Sequence, residues 1–163
     1  MRGGVRMNEF LDIEQEVESL CRWGAARAGA IVVLPLVGSL TLMANEFYMI
    51  KKIADLYGYK LDKSAAGAFF GALGGVFVGQ TLTTVFPFPP LQIPIGICTT
   101  YAIGKVAHEW IKDGMPSFSN KYNAIFKKAK KEAESLVPML TQSPLKDKPL
   151  GDEKANLNFD YGK

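Results

Sequence analysis

The side chains best suited to chemistry in this sequence are one histidine and two cysteines. His108 is the only histidine, and Glu109 follows it as in zinc proteases whose two histidines stand four residues apart on one helix. Lys112 occupies the place of the second histidine, so that motif is incomplete. Cys21 and Cys98 have no CxxC spacing, and an apolar setting weakens a thiol as a nucleophile. We therefore predict a non-enzymatic protein without catalytic residues, metal or cofactor.

A second kind of chemistry is the attraction between basic side chains and a charged surface. Residues 127–131 form a lysine-rich patch on a predicted amphipathic helix. Such a patch is typical of a solvated face and also of a face that attracts anionic lipid, and the sequence leaves both open. No nucleic-acid module accompanies it, so nucleic acid is not a predicted partner. The predicted membrane-surface residues are Trp23, Arg27, Trp110, Lys127, Lys128, Lys130 and Lys131.

Charged residues are distributed very unevenly along the chain. The 41 residues between Lys63 and Lys105 include no Asp, Glu, Lys or Arg, and residues 28–45 form a second uncharged stretch. A helix in water normally keeps one polar face, so a long uncharged stretch predicts burial in protein or in lipid. The net charge of +3 is too small to indicate a nucleic-acid partner.

Glycines recur every fourth residue in a helix predicted over residues 63–86. In water, a glycine inside a helix costs about 1 kcal/mol relative to alanine. In lipid, glycines let two helix backbones approach closely. About 22 residues at 1.5 Å each would give roughly 33 Å, enough to cross a hydrocarbon core. We therefore predict a hairpin in which the stripe mediates close helix packing, or alternatively assembly with other subunits.

The second helix of this hairpin is predicted over residues 95–112, after a proline-rich turn at 87–94 that cannot continue a helix. Its small residues would face the glycine stripe. The predicted helix-packing residues are Gly67, Gly71, Gly75, Gly79, Gly96 and Gly104.

The predicted fold class is all-α, a membrane-associated helical protein with a glycine-zippered hairpin and flanking amphipathic helices. Gly58 and Gly114 are predicted helix stops, Asp62 or Ser64 a cap, and Ser117 or Ser119 another. The predicted divisions are an amphipathic helix at 1–27, the hydrophobic hairpin domain at 28–113, a basic amphipathic helix at 114–137 and a flexible tail at 138–163.

Three stretches of this sequence resemble a known bacterial family. They are residues 49–59 (MIKKIADLYGY), 93–96 (IPIG) and 101–104 (YAIG), around the glycine-rich helix. Together they resemble the YcjF-like bacterial hydrophobic domain of unknown function, over roughly residues 28–113. The resemblance implies a membrane-associated helical domain, possible coupling to a GTPase, and no catalytic residues. This chain has no GxxxxGK[ST] loop, so nucleotide hydrolysis would belong to a partner.

The expected function is that of a non-enzymatic subunit, anchor or adaptor of a larger complex in a bacterial inner or internal membrane. Basic residues flank the hairpin on both sides, so the positive-inside rule places both termini in the cytoplasm. The expected partners are the lipid bilayer, other membrane-complex subunits or further copies of the chain, and a GTPase. The alternatives are a soluble helical protein that inserts conditionally and a GTPase-coupled oligomeric pore or transport component.

Overall fold

The structure, a computed structural model, describes residues 2–33, 38–73 and 89–147. Every regular element in these ranges is a helix, which confirms the predicted all-helical fold class for this part of the chain. The helices are α1 (Arg2–Ile31), α2 (Gly38–Leu56), α3 (Lys63–Ala72), α4 (Pro89–Lys112), α5 (Asn120–Glu134) and α6 (Val137–Gln142), followed by a 3-10 turn at Pro144–Asp147.

Several helix ends follow from local sequence as predicted. Gly58 and Gly114 adopt left-handed backbone angles, with φ of +74° and +86°, just beyond α2 and α4. Asp62 caps α3, where its carboxylate accepts a hydrogen bond of 2.7 Å from the backbone N–H of Ala65. Ser119 precedes α5 without a capping hydrogen bond from its side chain.

The start of α4 differs from the prediction of a turn over residues 87–94. The helix begins at Pro89 and contains Pro94. Pro89 and Pro90 are tolerated because the first N–H groups of a helix have no partner within it. Pro94 has no backbone N–H, so α4 lacks one helical hydrogen bond there. From Ile97 onward α4 is buried among other helices, and this packing outweighs the cost of the missing bond.

The core of the bundle lies around α4. Helix α1 runs antiparallel to α4, since Glu14 lies beside Lys112 while Gly29 lies beside Ile97. Helix α2 is parallel to α4, since the side chain of Thr100 meets Glu46 within α2, and that of His108, further along α4, meets Tyr57 just after the end of α2. The fully buried residues of α4 are Ile97, Thr100, Tyr101, Ala102, Ile103, Val106, Ala107 and Ile111.

The predicted membrane-crossing helix is described only in part. Helix α3 has ten residues, and residues 74–88, with Gly75, Gly79 and the first two residues of the predicted turn, lie outside the described ranges. Within those ranges, no helix combines the length and the apolar character needed to span a bilayer.

The chain after α5 packs back onto the bundle, where the sequence predicts a flexible tail from Pro138. Pro138 stands at the start of α6, where a missing N–H costs little. Leu140 is 1% exposed and belongs to the core, and the 3-10 turn contacts α1. The apolar residues at 136–140 form a run too short to give a periodicity from which to predict this. Residues 148–163 lie outside the described ranges.

Candidate membrane-facing site

One end of the bundle is built from helix segments without charge. These are residues 28–33, 38–45 and 89–96, which we call the uncharged end. They meet there because α1 is antiparallel to both α2 and α4. Leu42 of α2 packs in a buried cluster with Ala28, Ile31 and Val32 of the α1 segment. A Cβ atom on Gly96 of α4 would lie 2.7 Å from Cγ1 of Val32.

Large apolar side chains of the uncharged end face outward. Val33 is 36% exposed, Met43 46% and Leu91 61%. Single exposed apolar residues are common on protein surfaces, but here they share an end that carries no charge. The 15 residues between Leu73 and Pro89 are also uncharged, and the chain returns from them into this end at α4. This combination can contact lipid without burying a charge.

Close packing at glycine occurs between α4 and its two neighbours. A Cβ atom on Gly104 would lie 2.6 Å from Sγ of Cys21 in α1 and 3.1 Å from Sδ of Met49 in α2. Gly29 of α1 likewise approaches Ile97, at 2.9 Å from its Cγ1. The small residues Gly96 and Gly104 therefore bring α4 close to α1 and α2.

The glycines of α3 have different surroundings. A Cβ atom on Gly67 or Gly71 would meet no atom within 4 Å, and both residues are exposed. Opposite them, Phe69 is fully buried, with its ring 5.0 Å from that of Trp110. Within the described ranges α3 thus packs through its aromatic side, and its glycine side stays open.

A buried polar group lies where α2 first becomes charged. Glu46 is fully buried and accepts a hydrogen bond of 2.9 Å from the hydroxyl of Thr100 in α4. The preceding residue, Asn45, donates from its side-chain amide to the carbonyl oxygen of Gly24 in α1, at 3.0 Å. These bonds connect three helices at the border of the uncharged end. Glu46 and Thr100 lacked any predicted role, since neither has a distinctive pattern of neighbours in sequence.

Away from the uncharged end, a row of polar side chains joins α1 and α4, and we call it the polar seam. It consists of Glu14 and Glu18 of α1 with Tyr101, Lys105, His108 and Lys112 of α4. Glu18 accepts hydrogen bonds from Tyr101 Oη at 2.9 Å and Lys105 Nζ at 3.0 Å. Arg22 Nε donates to it at 2.7 Å. Burial tends to raise the pKa of the Glu18 carboxyl, but the bonds from Arg22 and Lys105 outweigh it and lower the pKa.

His108 is held inside this seam as a neutral imidazole. Its Nε2 lies 2.7 Å from the hydroxyl of Tyr57 and 3.4 Å from Oε1 of Glu14. Burial lowers the pKa of His108 and outweighs the opposing effect of Glu14. Glu14 also pairs with Lys112 at 3.3 Å. The arrangement holds α1 and α4 together, and the histidine is 2% exposed.

The predicted membrane-surface residues lie in three different environments. Trp110 is 2% exposed and donates a hydrogen bond of 2.8 Å to the carbonyl oxygen of Pro116, so its ring belongs to the core. Trp23 and Arg27 are partly buried in α1, and Arg27 is the last charged residue before the uncharged end. The four lysines of α5 are all exposed: Lys127, Lys128, Lys130 and Lys131.

An open groove of about 430 Å³ separates α1 from the second half of α2. Trp23, Leu20 and Leu56 supply its apolar lining. The rest of the lining is polar and consists of two acids, one lysine and one serine: Glu16, Asp55, Lys52 and Ser19.

The two cysteines are buried free thiols. Burial raises the pKa of Cys21 to about 12, and burial likewise raises that of Cys98, so both stay protonated and weakly nucleophilic. Among the described residues, no three His, Cys, Asp or Glu side chains cluster as ligands for a metal ion.

Comparison with known proteins gives one distant relative. The chain is 31% identical over 115 residues to magnetosome membrane protein 22 of Magnetospirillum gryphiswaldense. The match covers 62% of this chain and 59% of the relative, so the chain matches about three fifths of that protein's length. This chain therefore has a homologue among bacterial membrane proteins.

No protein-family model matches the sequence, and no solved structure matches it. The resemblance to the YcjF-like domain and its possible GTPase partner therefore stay predictions.

Proposed function

We propose that this protein is a non-enzymatic, membrane-associated helical bundle that acts as a subunit or anchor of a bacterial membrane complex. The uncharged end carries the proposal. It is the place where exposed Val33, Met43 and Leu91 can enter lipid without taking a charge with them. The relationship to a bacterial magnetosome membrane protein supports a membrane location.

The proposed mode of attachment is insertion of the uncharged end, with the rest of the bundle in water. The polar seam and the exposed lysines of α5 begin beyond this end, where water or headgroups can solvate them. Moving a charge into hydrocarbon is costly, so the border of the uncharged end limits the depth of insertion. Arg27 at that border can extend its charged group toward the headgroups.

The anchoring role follows from this division of the bundle into an inserted end and an aqueous part. The buried hydrogen bond between Glu46 and Thr100 and the polar seam hold α1, α2 and α4 as one body, so a partner bound to the aqueous part would be tied to the membrane. A bacterial inner or internal membrane with both termini on the cytoplasmic side is the location we propose. The partner subunits, a GTPase among them, belong to this proposal through sequence resemblance alone.

Conditional insertion of a water-soluble bundle is a second candidate. It is favoured by the self-contained core of the described helices, which includes Trp110 and Phe69. The two candidates differ in whether the purified chain stays in solution without lipid and binds vesicles only after a trigger such as acidification.

Flotation with lipid vesicles tests attachment through the uncharged end. The triple variant Val33→Asp, Met43→Asp, Leu91→Asp places charge on exposed positions and should abolish flotation. The control is Met7→Asp with Leu11→Asp, which adds two charges at exposed apolar residues near the opposite end of α1. It should float like the wild type. Equal flotation of the triple variant and the wild type would contradict the proposal, and circular dichroism verifies that each variant is folded.

A further inference from the structure

Two exposed surfaces of opposite charge remain unpaired within the described part of the chain. The first, which we call the acidic side, consists of Glu9, Asp12 and Glu16 of α1 with Asp55 of α2. The second, the basic face, consists of Lys127, Lys128, Lys130 and Lys131 of α5. No member of either set forms an ion pair with another described residue, whereas the acids of the polar seam are paired.

We propose that the acidic side of one copy binds the basic face of a second copy. Opposite net charge is the first reason, because complementary potentials steer association and fix its register. The dimensions also fit. Glu9 to Glu16 spans about 10 Å along α1 and Lys127 to Lys131 about 6 Å along α5, at 1.5 Å per residue, within the reach of lysine side chains.

The groove beside the acidic side supplies apolar contact for the same partner. Glu16 and Asp55 line it together with Trp23, Leu20 and Leu56, and Lys52 is the one basic residue of the lining. The aliphatic stem of a lysine can lie along such a surface while its ammonium group reaches a carboxylate. A lysine near Trp23 can also make a cation–π contact. The groove can therefore bind the basic face through apolar contact as well as through charge.

The two surfaces cannot meet within one copy. The basic face points away from the bundle, because Ala129 and Ala133 on the opposite face of α5 are buried in the core. The acidic side points away from α4, because Glu14 and Glu18 on another side of α1 form the polar seam. Each copy thus offers one surface of each kind, and such head-to-tail contacts generate rings or open chains.

The position of the basic face favours a protein partner over lipid. Tyr122, near the start of α5, donates to Asp113 at 2.7 Å, and Glu132, near its end, accepts from Tyr101 at 3.2 Å. The lysines between them lie level with the polar seam, along the flank of the bundle. A bundle standing on the membrane by its uncharged end would direct both surfaces sideways, toward neighbouring copies.

Sedimentation velocity of the full chain tests this proposal without any membrane, so its outcome is independent of vesicle binding. In dilute salt the wild type should form species larger than a monomer, and high salt should dissociate them by screening. The double variants Lys127→Glu, Lys131→Glu and Glu9→Lys, Glu16→Lys should each be monomeric. An equimolar mixture of the two should associate again, because each reversed surface then meets its complement.

The control variant is Lys51→Glu with Lys60→Glu, which changes net charge equally at exposed lysines outside the basic face. It should associate like the wild type. A wild type that is monomeric in dilute salt, a control that dissociates too, or a mixture that stays monomeric would overturn the proposal. So would a Lys127→Glu, Lys131→Glu variant that associates normally yet no longer binds vesicles of anionic lipid, since the basic face would then be a lipid contact.

Discussion

Gly96 of α4 faces Val32, just beyond the end of α1, with no room for a methyl group between them. A Cβ atom at position 96 would lie 2.7 Å from Cγ1 and 3.1 Å from Cγ2 of Val32, and 3.4 Å from the carbonyl oxygen of Ala28. Valine is stiff about χ1 and a helix backbone is stiffer still, so neither neighbour can move away cheaply. The close approach of α4 to α1 at the uncharged end depends on this glycine.

Gly96→Ala should therefore destabilise the bundle by about 1–3 kcal/mol, the usual cost of overpacking a core. Gly71→Ala is the matched control, because a Cβ atom there meets nothing within 4 Å and alanine favours a helix by about 1 kcal/mol. Thermal unfolding should show a lower Tm for Gly96→Ala and an unchanged or higher Tm for Gly71→Ala. Loss of stability at position 71 alone would mean that the stripe on α3 is the tight interface.

Acid should weaken the polar seam through Glu18. The bonds from Arg22 and Lys105 put its pKa in the folded state below that in the unfolded chain. Its stabilisation is thus complete above the unfolded pKa of about 4.3 and is lost as pH falls through the folded pKa. Glu18→Gln should cost about 1–3 kcal/mol at neutral pH, and the difference should shrink in acid. Denaturant unfolding at several pH values measures this, with exposed Glu16→Gln as a control that stays close to wild type.

His108 should produce a separate loss of stability at mildly acidic pH. Burial lowers the pKa of His108 in the folded state. As the pH falls, the unfolded chain therefore takes up a proton at about pH 6.5, while His108 in the folded state stays neutral until a lower pH. Stability should fall from that pH down to the folded pKa and then level off. His108→Gln removes this group, so its Tm should lack the decrease that the wild type shows in this range. Parallel curves for both proteins would contradict a neutral, buried His108.

The docking of α6 can be tested with two adjacent residues. Leu140 is 1% exposed and its neighbour Met139 is 49% exposed. Leu140→Ala should destabilise the bundle by about 2–5 kcal/mol through the cavity it leaves, whereas Met139→Ala should change little. Chemical denaturation of both variants measures the contrast. If Leu140→Ala unfolded like the wild type, α6 would not belong to the core.

Local signals in the sequence determine much of the helical architecture. Asp62 and Gly58 mark helix ends because capping and left-handed turns depend on one residue and its immediate neighbours. The charge pattern also locates the uncharged segments. The sequence does not show which helices pack together, because the spacing of glycines along one helix does not indicate which other helix approaches them. Gly104 thus meets Cys21, 83 positions away.

The buried polar contacts were beyond sequence reasoning for a related reason. By its sequence pattern, Glu18 fits an exposed acidic face and Tyr101 fits an apolar hairpin. Only the antiparallel packing of α1 on α4 brings Tyr101 Oη within 2.9 Å of the Glu18 carboxylate. Trp110 fits a membrane interface equally well by type, but its contact with Phe69 arises from the position of α3. Such pairings depend on the three-dimensional register of the helices.

The depth of a probe at position 91 in lipid tests the membrane role of the uncharged end most directly. Both native cysteines are buried, so Leu91→Cys and, as the control, Met7→Cys can each be labelled selectively with an environment-sensitive fluorophore. With bacterial-lipid vesicles, the probe at 91 should shift to the blue and be quenched by lipid-borne quenchers, while the probe at 7 stays in water. A probe at 91 that keeps its aqueous spectrum, or lies no deeper than the probe at 7, would contradict membrane attachment through this end.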